Sequence, residues 1–498
     1  IKKDAEIYVI YSTNGDYLWP AKIRYKEARK SLSILGVRPE HIFFLGYGDT
    51  YNNRGKHIFY SEYEKVTSIA GYSETYAPKG EMEYSYRVRG SHSDYCYNSF
   101  KEDLKTIILQ IMADIIICVD FDEHADHRAL TLAFDKVMEE ILKDSSIRYN
   151  PMILKRFAYS CAYSAVSDFL EGINVNSTKR PQIGITEKYD WDIIDKSFYD
   201  WEKRVRFPVP RDSLYLSPHK NRLMEALSKH CSQGIARRVE RIINSDEVFW
   251  ERRTDSISYK AEVFATSGEP RFLNDFKYFD VLNIDLFVPK FSNYLWIPEK
   301  NDDKKEVIFR WNSNQNIEQI CIYGNIENSG KIENIQIFFD NLYIMDTGSL
   351  LENGKPLIIN VTKENVREIK FKVTDMSGIE SGIAEIEVFS KRKVKSIIEP
   401  FVKITIHDDF AYTYKISADV KKLPIDLYFY KYEKDVTIQI SQGKSIIKNG
   451  IIFISTEDKE IMIQAIEDKE GVVLDQIKIV RGRHKSFKHL YYLWKIRC

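Results

Sequence analysis

Apolar residues in the first half of the chain alternate between two patterns. Short continuous apolar runs at residues 6–12, 41–45 and 115–119 predict buried strands. Residues 21–35, 100–112 and 128–142 carry apolar side chains at helical spacing, and Gly36 fits the left-handed position after the first of these helices. Strands that alternate with helices predict a parallel sheet covered by helices on both faces, which is a Rossmann-like α/β domain.

The pattern changes near Arg271, where short alternating segments separated by Asn, Gly and Asp replace the helical spacing. Such segments predict an all-β sandwich over residues 271–392 and a second, Ig-like sandwich over residues 400–480. The predicted strands of the first sandwich cover residues 307–311, 319–323, 335–339, 357–361, 368–373 and 383–389. The fold class is therefore multidomain, with an α/β domain over residues 1–265 followed by two β-sandwiches.

Composition excludes some partners and leaves others open. The chain has 498 residues, with 73 basic and 73 acidic side chains, so no global charge indicates a nucleic-acid partner. Its six cysteines form no CxxC pair, and Cys118 lies in an apolar strand, which favours a reducing compartment. We therefore expect the protein in the cytoplasm or at the inner face of a membrane, and secretion is the alternative that the sequence leaves open.

The densest cluster of ionisable residues is Asp-Phe-Asp-Glu-His-Ala-Asp-His at residues 120–127. It lies between a predicted strand and a predicted helix, and ligands of open α/β sheets bind at this end of the strands. His124 and His127 are three residues apart with Asp126 between them, a spacing compatible with a metal or catalytic site. The alternative is a helix cap with solvated neighbours.

Four motifs in order resemble the LmbE/PIG-L family of zinc-dependent de-N-acetylases. They are Thr13-Asn14-Gly15-Asp16, then Arg24-x-x-Glu27 with Leu35-Gly36-Val37, then Phe44-Leu45-Gly46-Tyr47-Gly48-Asp49, and His124-x-Asp126-His127. Later segments, Ser232-Gln233 and Glu247-Val-Phe-Trp-Glu251, also fit, so the resemblance covers roughly residues 1–262.

The resemblance implies a function and roles for single residues. The family removes the acetyl group from N-acetylglucosamine conjugates with zinc, although iron can occupy similar sites. His127 matches a zinc ligand, His124 matches the histidine that stabilises the oxyanion, and Asp126 is expected to orient His124. Asn14, Arg24 and Asp49 are expected either to contact the substrate or to brace the fold.

One family motif has no counterpart in the sequence. The family carries His-Pro-Asp-Asp-Glu after its first strand, and this motif supplies two zinc ligands and the general base. Residues 1–13 contain nothing of the kind. We therefore expect a preceding strand with this motif in the natural protein; the alternative is a catalytically inactive glycan-binding or scaffold protein.

The β region suggests further contacts. Residues 378–389 resemble the last strands of discoidin-like (F5/8 type C) domains, which implies a glycan contact or a purely structural module. The tail at residues 481–498 is basic and aromatic, so a peripheral membrane contact is one expectation and a solvated terminus the other. His219 and His230 flank a predicted helix and are expected at the surface.

Overall fold

A computed structural model gives the fold. It describes residues 5–49, 57–122, 124–156, 205–208, 222–234, 246–284, 290–327, 329–391, 412–416, 421–425, 429 and 435–481. His219 and the tail beyond Arg481 lie outside these ranges. No helix among the described residues is long and apolar enough to cross a bilayer.

The α/β part is built from strands and helices in alternation, as predicted. Its strands are β1 (Val9–Thr13), β2 (Ile42–Tyr47), β3 (Ile115–Val119), β4 (Met152–Arg156), β5 (Val205–Pro208) and β6 (Asp246–Arg252). Its helices are α1 (Ala21–Leu35), α2 (Tyr84–Arg89), α3 (Tyr97–Ile111), α4 (Ala125–Lys143) and α5 (Arg222–Leu227). Gly36 ends α1 at φ 84°, which is the left-handed conformation expected for that glycine.

The sheet of the α/β part is divided into two pieces. β1 pairs with β2 in parallel, while a second sheet has the order β3-β4-β6-β5, with β3 and β4 parallel and β6 antiparallel to both neighbours. The described residues place no strand between β1 and β3. Ile10 on β1 and Ile117 on β3 are 36% and 59% exposed, although strands of parallel sheets are normally buried on both faces.

The region after residue 261 is β-rich, and its first part is a sheet of long antiparallel strands. These strands are β7 (Glu262–Ala265), β8 (Glu306–Gly324), β9 (Gly330–Phe339), β10 (Leu342–Asp346), β11 (Pro356–Gly378) and β12 (Ile383–Phe389). The sheet order is β10-β9-β11-β8-β12, and β7 pairs with β8. Residues 262–265 thus join this sheet rather than the α/β sheet.

Two pairs of predicted strands are continuous in the structure. Residues 307–311 and 319–323 both belong to β8, and residues 357–361 and 368–373 both belong to β11. The polar residues between each pair indicate a turn in the sequence. Instead, β8 and β11 stay paired through three register shifts, and these irregularities accommodate the polar residues in the middle of both strands.

The last described part contains two further sheets around one core. Its strands are β13 (Tyr412–Ile416), β14 (Lys422–Pro424), β15 (Val436–Gln442), β16 (Ile446–Lys448), β17 (Ile451–Phe453), β18 (Glu460–Glu467) and β19 (Val473–Arg481). One sheet has the order β13-β19-β18-β15 and the other has the order β14-β17-β16. Ile452, Ile461, Ile463 and Ile477 pack between them, which is a sandwich-like arrangement.

The α/β part and the first β part share a hydrophobic core. Phe121, Ala125 and Trp250 from the α/β part are in one cluster with Phe279 and Tyr323 from the chain beyond. Within this cluster the rings of Phe121 and Phe279 meet edge to face, with centroids 5.2 Å apart. The two parts therefore stabilise each other directly.

Candidate metal centre

The turn after β3 carries the cluster of acidic residues and histidines. The Asp122 carboxylate accepts a hydrogen bond from the backbone N–H of His124 at 2.9 Å. His124 is the N-cap of α4, and its Nδ1 accepts from the backbone N–H of Asp126 at 3.2 Å. Both bonds satisfy backbone donors near the helix start, so the turn and the first helical turn fix each other.

The two histidines have opposite hydrogen-bonding environments. Nδ1 of His124 accepts a backbone N–H, so a proton on a neutral ring resides on Nε2. Nδ1 of His127 lies 2.9 Å from both carboxylate oxygens of Asp122, which can only accept when ionised. His127 therefore carries its proton on Nδ1, and Nε2 is the ring nitrogen through which it would bind a metal. A histidine held by a carboxylate in this way is a common metal ligand.

Their proton affinities also differ. Burial lowers the pKa of His124 below its ordinary value. Burial has the same tendency at His127, but the charge and hydrogen bond of Asp122 together raise the pKa of its imidazole. The ring centroids are 4.8 Å apart, so one small site contains a histidine with a lowered pKa and a histidine with a raised pKa.

Asp126 is held by a histidine from the loop after β2. Nδ1 of His57 accepts from the backbone N–H of Phe59, so its Nε2 donates to Oδ1 of Asp126 at 2.9 Å. Burial opposes ionisation of Asp126, but the hydrogen bond and charge of His57 hold the pKa of its carboxyl below the usual range. Asp126 thus presents a fixed carboxylate, and its backbone N–H holds His124.

Asp49 joins this cluster from the end of β2. Ligand atoms of Asp49, His124 and Asp126 all lie within 4.8 Å of one another. The backbone N–H of Asp49 donates to Asp16 at 2.7 Å, and Tyr76 donates its hydroxyl to the same carboxylate. Asp16 therefore fixes the loop that places Asp49 beside the histidines.

Asn14 and Arg24 line the same cavity but also brace the fold. The Asn14 amide donates to the carbonyls of Gly46 and Tyr76, and its oxygen accepts from Tyr25. Nε of Arg24 donates to the Gly15 carbonyl at 2.9 Å, and Nη1 donates to Oγ of Ser232 at 3.1 Å. The Asn14 side chain is therefore used inside the fold, whereas Arg24 joins the loop after β1 to Ser232.

The cavity has a volume of about 460 Å³ and two kinds of wall. Its polar end contains Asn14, Arg24, Asp49, His124, Asp126, His127, His230 and Gln233. Its apolar walls come from β1, β3, α3 and α4, including Ile10, Ile117, Leu104 and Phe134. The cavity therefore follows the gap in the sheet and opens at the histidines. His230, expected at the surface, is half-buried here.

Sequence reasoning missed three contributors to this site. Asp122 holds His127, and His57 holds Asp126. Buried Glu27 accepts hydrogen bonds from the backbone N–H and Oγ of Ser232 at 2.7 and 2.6 Å. Asp122 lies in the acidic cluster, so its position after β3 was a usable signal. His57 and the pair Glu27–Ser232 act over long sequence separations that periodicity does not reveal.

Comparison with known proteins gives two family matches. Residues 1–138 match the family described as GlcNAc-PI de-N-acetylase (PIG-L), and residues 283–389 match a domain of unknown function, DUF7402. No curated protein matches the chain.

Among solved structures, the chain is similar to carbohydrate-binding modules. A Clostridium perfringens CBM32 module in complex with GlcNAc-alpha-1,4-galactose is 15% identical over 27% of this chain and 93% of its own, with TM-score 0.20. The family 32 module of C. perfringens NanJ with galactose is 17% identical over 26% and 92%, with TM-score 0.20. A Streptococcus pneumoniae fucose-binding module is 16% identical over 28% and 98%, with TM-score 0.21. With the family match and the site geometry, residues 1–138 are identified as a PIG-L (LmbE-like) domain.

Proposed function

We propose that the α/β part is the catalytic domain of a zinc-dependent de-N-acetylase acting on an N-acetylglucosamine-type sugar in a glycoconjugate or glycolipid. The observation that carries this proposal is the pair of histidines in opposite tautomers. His127 carries its proton on Nδ1, which Asp122 holds, so it would bind a metal through Nε2, whereas His124 keeps a proton on Nε2. A hydrolase of amides needs both kinds of group, a metal ligand and a hydrogen-bond donor for the oxyanion.

The donor set at the polar end of the cavity fits zinc. Imidazole nitrogen and carboxylate oxygen are common zinc ligands, and iron accepts the same set. His127 would hold the ion through Nε2, and the carboxylates of Asp49 and Asp126 line the same end of the cavity. Zinc in such a site polarises a carbonyl group and lowers the pKa of a water molecule. We assign His127 rather than His124 as the ligand because Nδ1 of His124 accepts a backbone N–H, which places the ring proton on Nε2.

Further ligands would come from a strand between β1 and β3. Among the described residues neither strand has a pairing partner at the edge that lines the cavity, and the apolar side chains of Ile10 and Ile117 are exposed there. A parallel strand in this gap would join the two sheets, cover those side chains and end beside the histidines. We propose that a strand outside the described residues fills this gap and carries the remaining metal ligands and the general base.

The residues of this chain would act on the substrate amide as follows. His124 donates a hydrogen bond from Nε2 to the oxygen that becomes negative as the amide is attacked. The Asp126 carboxylate favours the protonated form of His124 and is itself fixed by His57. Arg24 and Asp49 line the polar end of the cavity, and we assign them to binding the sugar.

The test of this proposal uses the natural full-length protein. We expect it to release acetate from an N-acetylglucosamine derivative, to stop after treatment with a chelator, and to recover when zinc is added. A folded protein that holds stoichiometric zinc but releases no acetate would contradict the proposal. That result would favour the inactive glycan-binding alternative.

For the first β part, we propose a glycan contact on the resemblance of residues 378–389 alone.

Asp122 provides a prediction about the metal affinity. Asp122→Asn keeps the size of the side chain but removes the charge that holds the His127 proton on Nδ1. We expect zinc affinity to fall by about 10- to 100-fold, as for other residues that orient metal-bound histidines. Competition with a chromophoric chelator measures this change. Asp114→Asn is the matched control, because Asp114 is exposed just before β3, at the opposite end of that strand. Equal affinities in the two variants would contradict the role of Asp122.

A further inference from the structure

The loop between β1 and α1 exposes three consecutive large apolar residues. Tyr17, Leu18 and Trp19 are 39%, 76% and 46% exposed, and Leu18 is the most exposed large apolar side chain in the described α/β part. Ile23, in the first turn of α1, is also 36% exposed. Transfer of such side chains out of water is favourable, so burying this loop against an apolar partner would stabilise the complex.

The helix that follows the loop is positively charged on its exposed side. Lys22, Lys26 and Lys30 are exposed and four residues apart, so they lie along one face of α1. Glu27 is the single acidic residue of this helix, and it is buried against Ser232. The exposed face of α1 therefore carries positive charge without a compensating acid of its own.

A second segment extends the same surface. Arg29 of α1 makes a two-pronged ion pair with Glu81, at 3.0 and 2.6 Å, which places the loop at residues 79–82 beside the helix. That loop exposes Met82 (53%) and Lys79. Because Glu81 is neutralised by Arg29, the added charge is again positive. We call Tyr17–Trp19, Ile23, Lys79, Met82 and the three lysines of α1 the basic-apolar face.

This face adjoins the candidate metal centre. Asn14 and Gly15 precede the loop and line the cavity, as does Arg24 within the first turn of α1. Asp16, which fixes Asp49, directly precedes Tyr17. A partner bound to the basic-apolar face would therefore lie beside the polar end of the cavity.

We propose that the basic-apolar face binds the surface of an anionic lipid bilayer and thereby brings the cavity to a lipid-linked substrate. Its chemistry matches that surface: tryptophan and tyrosine favour the headgroup region, leucine and methionine enter the acyl boundary, and lysines contact anionic headgroups. An acidic polysaccharide would account for the lysines but not for Leu18, which offers no hydrogen bond. The inference deepens the proposed function by naming a membrane-bound substrate, and it does not depend on the C-terminal tail.

Vesicle sedimentation with the full chain tests the proposal. We expect binding to vesicles of phosphatidylcholine mixed with phosphatidylglycerol, little binding to phosphatidylcholine alone, and weaker binding as salt screens the lysines. Leu18→Ser with Trp19→Ser should weaken binding on the order of tenfold or more, since two apolar side chains no longer enter the bilayer. Replacing Lys22, Lys26 and Lys30 by Ser should weaken it by about a hundredfold, at roughly fivefold for each lysine.

Matched controls use exposed residues of the β region. Leu342→Ser with Ile379→Ser removes two apolar side chains that are 60% and 90% exposed. Replacing Lys304, Lys448 and Lys469 by Ser removes three exposed lysines. Control variants that lose binding as strongly as the test variants would overturn the proposal, as would absence of binding to the anionic vesicles. Binding that needs the lysines but not Leu18 and Trp19, and that soluble alginate displaces, would overturn it in favour of an acidic polysaccharide.

The same variants separate this inference from the proposed chemistry. None of the substituted side chains belongs to the metal centre, so the full-length protein should deacetylate a soluble substrate equally well with and without them. If soluble substrate is cleaved but vesicles are not bound, the membrane inference fails and the proposed function stands. If vesicles are bound through this face but no substrate is cleaved, the proposed function is wrong and the membrane inference is retained.

Discussion

His127→Ala in the full-length protein should abolish stoichiometric zinc, whereas His124→Ala should keep the metal and lose turnover. His127 has its Nδ1 fixed by Asp122, so its removal takes away the nitrogen ligand itself. His124 has Nδ1 engaged by the backbone of Asp126, so its removal deletes a donor to the reacting oxygen. Loss of one such donor lowers kcat by roughly 100- to 1,000-fold in other acyl-transfer enzymes.

Elemental analysis and turnover per bound metal distinguish the two variants. His230→Ala is a useful control, because His230 lines the same cavity and contacts Gln233 but has no carboxylate on its ring nitrogen in the described structure. We expect it to keep metal and most of its turnover. Full metal in His127→Ala, or loss of metal with unchanged turnover per metal in His124→Ala, would reverse the assigned roles.

Arg252→Met should destabilise the protein by about 3–5 kcal/mol, because it leaves the buried Glu387 carboxylate without its cation. Nη1 of Arg252 donates to Glu387 at 2.7 Å, and the two side chains are 6% and 3% exposed. Tyr323 donates to the same carboxylate at 2.8 Å, and the Arg252 guanidinium lies 3.4 Å from the ring centroid of Tyr278. The pair joins β6 of the α/β part to β12 of the β part, so its loss weakens both.

Urea unfolding followed by tryptophan fluorescence measures the change. Arg310→Met is the matched control, since Arg310 is 53% exposed in its ion pair with Glu368 and such surface pairs contribute about 0–1 kcal/mol. The double variant Arg252→Met with Glu387→Gln should regain part of the lost stability, because no unpaired charge remains while the glutamine still accepts from Tyr323. A change below about 1 kcal/mol for Arg252→Met would show that the pair does not hold the two parts together.

Local patterns predicted the elements that carry the metal centre. The bounds of β3 and α1 agree with the apolar periodicity, and α4 begins at Ala125, three residues before the predicted start. The turn between β3 and α4 was predicted because ionisable residues directly follow a buried strand. These features depend on neighbours within a few residues, which the sequence displays directly.

The parts that sequence did not predict depend on distant partners. Ser232 meets Glu27 across 205 residues, and Arg128 donates to the carbonyl of Ile284 across 156. Neither contact produces a periodic pattern in the sequence, because each depends on only two residues that are far apart in the chain. The lengths of β8 and β11 were wrong for a related reason: a pairing partner, rather than local composition, keeps their polar middle segments extended.

The core shared by the two parts has a consequence for the order in which the chain folds during synthesis. The face of α4 that carries Ala125, Ala129 and Leu132 packs in one cluster with Tyr323 and Phe389. A ribosome adds about 5–20 residues per second. Synthesis from α4 to Phe389, the last residue of this cluster, therefore takes on the order of tens of seconds. The nascent α/β part therefore exposes apolar surface until β12 leaves the ribosome, and a chain stalled before that point should be a chaperone substrate.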